Sequence, residues 1–187
     1  MVERRRNFVI ARRFVEPERL VFLDESGAKT NMTRLYGRAP VGQRCNFHTA
    51  HGHWKTTTMI SAIRAGGVVR DATLLLDGPM NAATFLGYVE RCLAPSLHAG
   101  DVVVMDNLGA HKVGGVEELI EAADATVWWL PPYSPDLNPI EKLWSKVKAG
   151  LRRAMADTLD GLVNAAGVVL RTVTDDECRN YFRSCGY

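Results

Sequence analysis

Val102-Val103-Val104-Met105 offers no polar side chain to either face of a strand, so a strand built from it must be covered on both sides. Thr126–Leu130 is a second buried run, halted by Pro131-Pro132. Between them, behind Gly114-Gly115, Val116, Leu119, Ile120 and Ala123 recur at helical spacing. Strand–helix–strand alternation of this kind implies parallel strands with helices packed over them. The start of the chain reads differently. Leu20–Leu23 is a buried strand, Arg44–Thr49 predicts a short one, and Lys55–Arg64 turns at Ala65-Gly66-Gly67 into Val68–Leu76 as a hairpin. The expected fold is therefore α/β: a mixed central sheet flanked by helices, its first three strands antiparallel and the later ones parallel. Asn81 caps a predicted helix with Phe85, Leu86, Val89 and Leu93 inward. Two closing helices are expected, the first burying Leu159, Leu162, Val163, Ala166, Val169 and Val173, the second spanning about 175–183.

At 187 residues, 47% hydrophobic and 24% charged, the composition is that of one ordinary globular domain. No apolar run reaches the length of a membrane span, and Arg12 and Arg13 interrupt any secretory leader. Cys45, Cys92, Cys178 and Cys185 form no Cys-x-x-Cys pair, so reduced thiols in a cytoplasmic protein are expected. A net charge of +2 is too small to announce nucleic-acid binding, but the charge is unevenly distributed. Residues 1–19 carry Arg4, Arg5, Arg6, Arg12, Arg13 and Arg19, and read as a basic arm before a domain at 20–187. Lys142, Lys146, Lys148, Arg152 and Arg153 form a second cluster. A solvated face is the other reading of each.

Three carboxylates carry the chemistry. Asp24 follows Leu20–Leu23, Asp106 follows Val102–Met105, and Glu141 opens a helix after Pro139. That helix is the best-determined element, with Ile140, Leu143, Trp144, Val147, Leu151 and Ala154 in one apolar stripe. Glu141, Ser145, Lys148 and Arg152 share the neighbouring stripe, with Lys142 beside it, so cationic side chains lead away from an acid along one face. Acids gathered at strand ends and a helix start repel one another unless they hold divalent cations. Two Mg²⁺ ions, with Mn²⁺ able to substitute, would serve both ends of an in-line displacement at phosphorus. Each acid also has a plainer reading. Glu141 has capping-box spacing from Asn138, while Asp106 and Asp24-Glu25-Ser26-Gly27 resemble turn chemistry.

The surroundings of these acids resemble the catalytic domain of mariner-superfamily DDE transposases, in their bacterial insertion-sequence branch. The resemblance rests on Leu23-Asp24-Glu25-Ser26, Gly52-His53-Trp54-Lys55, Met105-Asp106-Asn107 with His111, and the block Leu130–Glu141 followed by Trp144 and Lys148; Cys185-Gly186-Tyr187 adds to it. It covers roughly residues 20–187. It implies an RNase H-like fold, metal binding and catalysis by Asp24, Asp106 and Glu141, cleavage at transposon ends, and transfer of a 3′-hydroxyl into target DNA. It also implies a homodimer on DNA. Relatives carry helix-turn-helix domains before the catalytic domain, whereas 19 residues precede the first strand here, so end recognition is expected from a separate or frameshifted upstream region, or this is a fragment. An idle remnant of such an enzyme, or another RNase H-like nuclease, is the alternative.

His111 is expected either to contact DNA or to orient the loop after Asp106. Asp136 is expected to brace its loop. Of Trp128 and Trp129, at least one belongs to the core. His48, His51 and His53 form a tight cluster without an acid or Cys ligand at zinc spacing, and their role stays open.

Overall fold

The computed structural model describes residues 2–47 and 56–187. His48, His51 and His53 lie outside these. Five strands form one sheet in the order β3-β2-β1-β4-β5, where β1 is Leu20–Lys29, β2 Thr56–Arg64, β3 Gly67–Asp77, β4 Val102–Met105 and β5 Thr126–Trp129. The hairpin of β2 and β3 pairs antiparallel with β1. On the other side of β1, β4 and then β5 run parallel to it. The mixed sheet is the one expected from sequence.

Strand alternation sorts the apolar side chains into two layers. Leu20, Phe22, Val102 and Val104 point toward α4 (Ile140–Ala154), α5 (Leu159–Arg171) and α6 (Asp175–Ser184), packing with Leu143, Trp144, Leu162 and Phe182. Val21, Leu23, Val103 and Met105 point the other way, onto Phe85 and Val89 of the α2 region (α2 is Ala82–Tyr88) and Val116 and Ile120 of α3 (Val116–Glu121). Asn81 caps α2, its Oδ1 accepting from Thr84 N at 2.9 Å.

Three expectations are corrected. Residues 44–47 form no strand; all four are exposed, so no buried face offsets the cost of ordering the backbone. Val163 is 39% exposed, and α5 buries Leu162, Ala166 and Leu170 instead. The first strand does not stop at Leu23. Glu25, Ser26 and Gly27 pair with Ile60, Met59 and Thr58, so the polar run that resembled a turn is central strand.

The basic segment before β1 is largely helical, with α1 spanning Val2–Ala11. Phe8 is buried edge-on to Trp128 at 6.1 Å between ring centroids. Arg12 lies over the Tyr187 ring at 4.6 Å and donates to the Cys185 carbonyl at 2.8 Å. Tyr187 in turn donates its hydroxyl to the Leu137 carbonyl at 2.7 Å, tying the end of the chain to the loop before α4. No helix among the described residues is long and apolar enough to cross a membrane.

Candidate active site

Asp24 follows the even-numbered side chains of β1 onto the face that α4 covers, and only 9% of it is exposed. Asp106 is the first residue beyond β4, on the strand hydrogen-bonded to β1. Glu141 stands at the start of α4 and is exposed. These three acids, distant in sequence, line one cavity of about 530 Å³ together with Asn107, Tyr133 and Asn138.

The capping-box alternative for Glu141 is not realised. No side chain caps α4, and the Asn138 Oδ1 atom is buried without a hydrogen-bond partner. The Glu141 carboxylate is thus left to the cavity. The turn alternative for Asp106 is partly realised, since its Oδ1 accepts from Leu108 N at 3.1 Å.

Electrostatics distinguish the three. Burial pushes Asp24 up to about 7; a hydrogen bond from Glu25 N at 2.8 Å opposes this, and the charges of Glu141 and Asp106 reinforce it. Asp24 has no ion-pair partner among the described residues. A buried carboxylate whose charged neighbours are further carboxylates is the donor set a hard divalent cation relieves. Among the described residues, no three His, Cys, Asp or Glu side chains stand close enough to hold a metal by themselves, so an ion here would depend on waters and substrate oxygens as well. That suits Mg²⁺, which retains several waters and shares substrate phosphate oxygens.

Behind the cavity stands a second layer. His111 is fully buried, its ring 4.3 Å from that of Phe85. Its Nε2 is 3.0 Å from Glu25 Oε1 and its Nδ1 2.7 Å from Asp106 Oδ1, the latter an ion-pair contact off the line of a good hydrogen bond. Burial disfavours the imidazolium, but the Asp106 and Glu25 carboxylates outweigh it and raise His111 to about 9. Burial likewise opposes ionisation of Asp106, yet contact with His111 and the Leu108 amide holds it below the usual carboxylate range. The ring is wholly buried here, with Asp106 and Glu25 as its partners, the arrangement expected of a residue that orients the loop after Asp106 and not of one exposed to DNA. Glu25 was missed as its partner. Alternation along β1 places Glu25 opposite Asp24, but nothing in the sequence pairs it with a residue so far along the chain.

Among the other expected residues, Lys142 and Ser145 are exposed, and Lys148 and Arg152 half-buried. All lie on α4, and the three cations form no ion pair among the described residues. Lys146 is engaged, 2.6 Å from Glu177. Asp136 braces its loop as expected, accepting from Arg5 Nη1 at 2.9 Å, while the same nitrogen donates to Ser134 Oγ at 3.1 Å. Trp128 packs against one core layer and Trp129 against the other.

A mixed sheet carrying acids on its central strand, at the end of the neighbouring parallel strand and on a covering helix defines the RNase H-like class. Within it, the chain belongs to the DDE superfamily endonucleases, whose family model matches residues 19–163. A search of curated proteins found no match. Among solved structures, the chain is similar to the Mos1 transposase paired-end complex with left transposon end (TM-score 0.75, 21% identity, covering 97% of this chain and 57% of that one). It is also similar to the mariner Mos1 paired-end complex with Mg (0.71, 21%, 98% and 57%). The catalytic domain of Mos1 mariner transposase matches over more of its own length (0.68, 19%, 98% and 85%). The chain thus spans little more than half of the longer Mos1 proteins and most of their catalytic domain.

Proposed function

We propose that this chain is a transposase catalytic domain that cleaves DNA at transposon ends and joins the freed 3′-hydroxyl to target DNA. The observation that carries this is the meeting of Asp24, Asp106 and Glu141 at one cavity, within a chain of the DDE endonuclease family. The Mos1 structures, solved with a transposon end and with Mg, support the same substrate and cofactor.

Asp24, central and buried, would be shared between two metal sites, one completed by Asp106 and the other by Glu141. Bound Mg²⁺ would activate the attacking oxygen and stabilise the leaving one. The protein's own contribution is placement. Pairing on both edges of β1 fixes Asp24, His111 fixes Asp106, and the buried stripe of α4 fixes Glu141. Lys142, Ser145, Lys148 and Arg152 would guide the phosphate backbone toward the acids. A helix-turn-helix region would recognise the ends, and two copies would assemble on DNA. Placement in a bacterial insertion sequence, and hence in the cytoplasm, belongs to the same proposal.

The test is nicking and strand transfer with Mg²⁺ or Mn²⁺ on DNA carrying the element's own ends. Asp24→Asn and chelation should each abolish both. Activity surviving the two together would refute the reading.

A further inference from the structure

Cys185-Gly186-Tyr187 lines no part of the acidic cavity, yet each of its three residues is fixed in place. The Cys185 carbonyl accepts from Arg12 Nη1 at 2.8 Å. Gly186 turns the backbone at φ 85°, and a Cβ there would meet Arg12 Nη2 at 2.6 Å, so the turn takes glycine. Tyr187 N then donates to the Phe182 carbonyl at 3.1 Å.

Held in this way, the Tyr187 side chain touches both sides of the site. Its ring packs edge-on against Phe22 at 5.0 Å between centroids, and Phe22 stands two residues before Asp24 on the same face of β1. Its hydroxyl donates to the Leu137 carbonyl at 2.7 Å. A peptide unit is planar, so the bond that fixes this carbonyl also fixes Asn138 N, which donates to the Pro135 carbonyl at 3.1 Å. Asn138 lines the cavity, and its own carbonyl accepts from Glu141 N at 3.2 Å.

We propose that Tyr187 is a positioning residue for the acids: one side chain spans the strand carrying Asp24 and the turn leading to Glu141, and so sets the separation of the two carboxylates. This rests on the catalytic reading above and deepens it. The charge of Glu141 disfavours an ionised Asp24, so the pair is driven apart whenever both are charged. A tether outside the cavity opposes that drift without occupying a ligand position. Leu137 is buried, so a carbonyl deprived of the phenol is left unpaired where water does not readily replace it. Misplacement of a reacting group by about 1 Å can cost on the order of a hundredfold.

The test compares Tyr187→Phe, which keeps the ring and removes the hydroxyl, with Leu170→Ala, which removes packing from α5 and spares the tether. Hydrogen–deuterium exchange is followed on the metal-free full chain, and Mn²⁺ binding by titration calorimetry. Tyr187→Phe should speed exchange across residues 137–142 by roughly 2- to 10-fold and weaken Mn²⁺ binding about tenfold. Leu170→Ala should lower the urea midpoint and leave both readouts at the wild-type level. Unchanged exchange in Tyr187→Phe would overturn the proposal, as would an equal loss of Mn²⁺ affinity in Leu170→Ala. Asp24→Asn separates the two readings. Mn²⁺ binding that survives Asp24→Asn, with exchange still faster in Tyr187→Phe, would uphold the tether and sink the catalytic assignment; Asp24-dependent binding that ignores Tyr187→Phe would do the reverse.

Discussion

Asp24 and His111 show how this protein holds charge it would not otherwise tolerate, and each leaves a signature in stability. Asp24 titrates near 7 when folded, against 3.8 as a free side chain. Between about pH 4 and 7 the native state therefore keeps a proton that the unfolded chain has lost, and stability falls as pH rises. Fully realised, the shift corresponds to at most about 4 kcal/mol. Metal-free protein should melt lower at pH 8 than at pH 5, Mg²⁺ should recover part of the loss, and Asp24→Asn should flatten that part of the curve. A wild-type melting profile flat across this window would contradict the burial of an unpartnered Asp24. His111, raised to about 9, acts in a higher window: its contribution is complete below about 6.5 and disappears as pH climbs through 9. Glu141 supplies the contrasting case. Exposed and not serving as a cap, Glu141→Gln should change stability by no more than about 0.5 kcal/mol in urea unfolding while lowering nicking at least a hundredfold. All three acids stood out in the sequence because each abuts an apolar run, and the fold brings them to one cavity. The Glu25–His111 layer was not, since a pair made across the fold leaves no periodicity behind.

At the level of elements, the predictable pieces are those whose burial has a single period. The stripe on α4 has one, and the helix spans the stretch the stripe requires, ending at Met155 in the left-handed region. The strand β1 does not. Its outer half, Asp24-Glu25-Ser26-Gly27, has the composition of a turn, and pairing with β2 keeps it extended. The helix pair α4 and α5 adds a constraint that hydrophobic patterning misses. Gly150 faces Val169 of α5, and a Cβ there would meet Val169 Cγ2 at 2.3 Å. Helix propensity alone favours Gly150→Ala by up to about 1 kcal/mol. Overpacking against a stiff β-branched side chain costs about 1–3 kcal/mol and should prevail. Denaturant unfolding should show a net loss for Gly150→Ala, recovered when Val169→Ala is added; a stabilised single variant would mean that the helices separate readily.

Over the whole molecule, the order β3-β2-β1-β4-β5 makes β1 the central strand, paired antiparallel on one edge and parallel on the other. That order places Asp24 beside the end of β4 and beneath the start of α4, so the site is a consequence of topology. Mixed sheet and helical cover were legible from strand composition; the docking of α1 was not, because its single buried side chain, Phe8, gives no helical stripe. With a net charge of +2, long-range attraction for DNA would be weak, and on the proposed reading affinity would come from local cations. Three of these, Lys142, Lys148 and Arg152, lie on α4 without ion-pair partners among the described residues, whereas Lys146 is held by Glu177. At roughly 0.9 per neutralised phosphate, they predict a slope of about −3 for log K against log salt on blunt duplex. Lys148→Ala and Arg152→Ala should each reduce its magnitude by about 1, and Lys146→Ala should leave it unchanged while loosening the contact between α4 and α6. Fluorescence anisotropy across a salt series measures this directly. A slope steeper than about −6 would place most phosphate contacts elsewhere on the protein, and α4 would then be a solvated face that merely neighbours the acids.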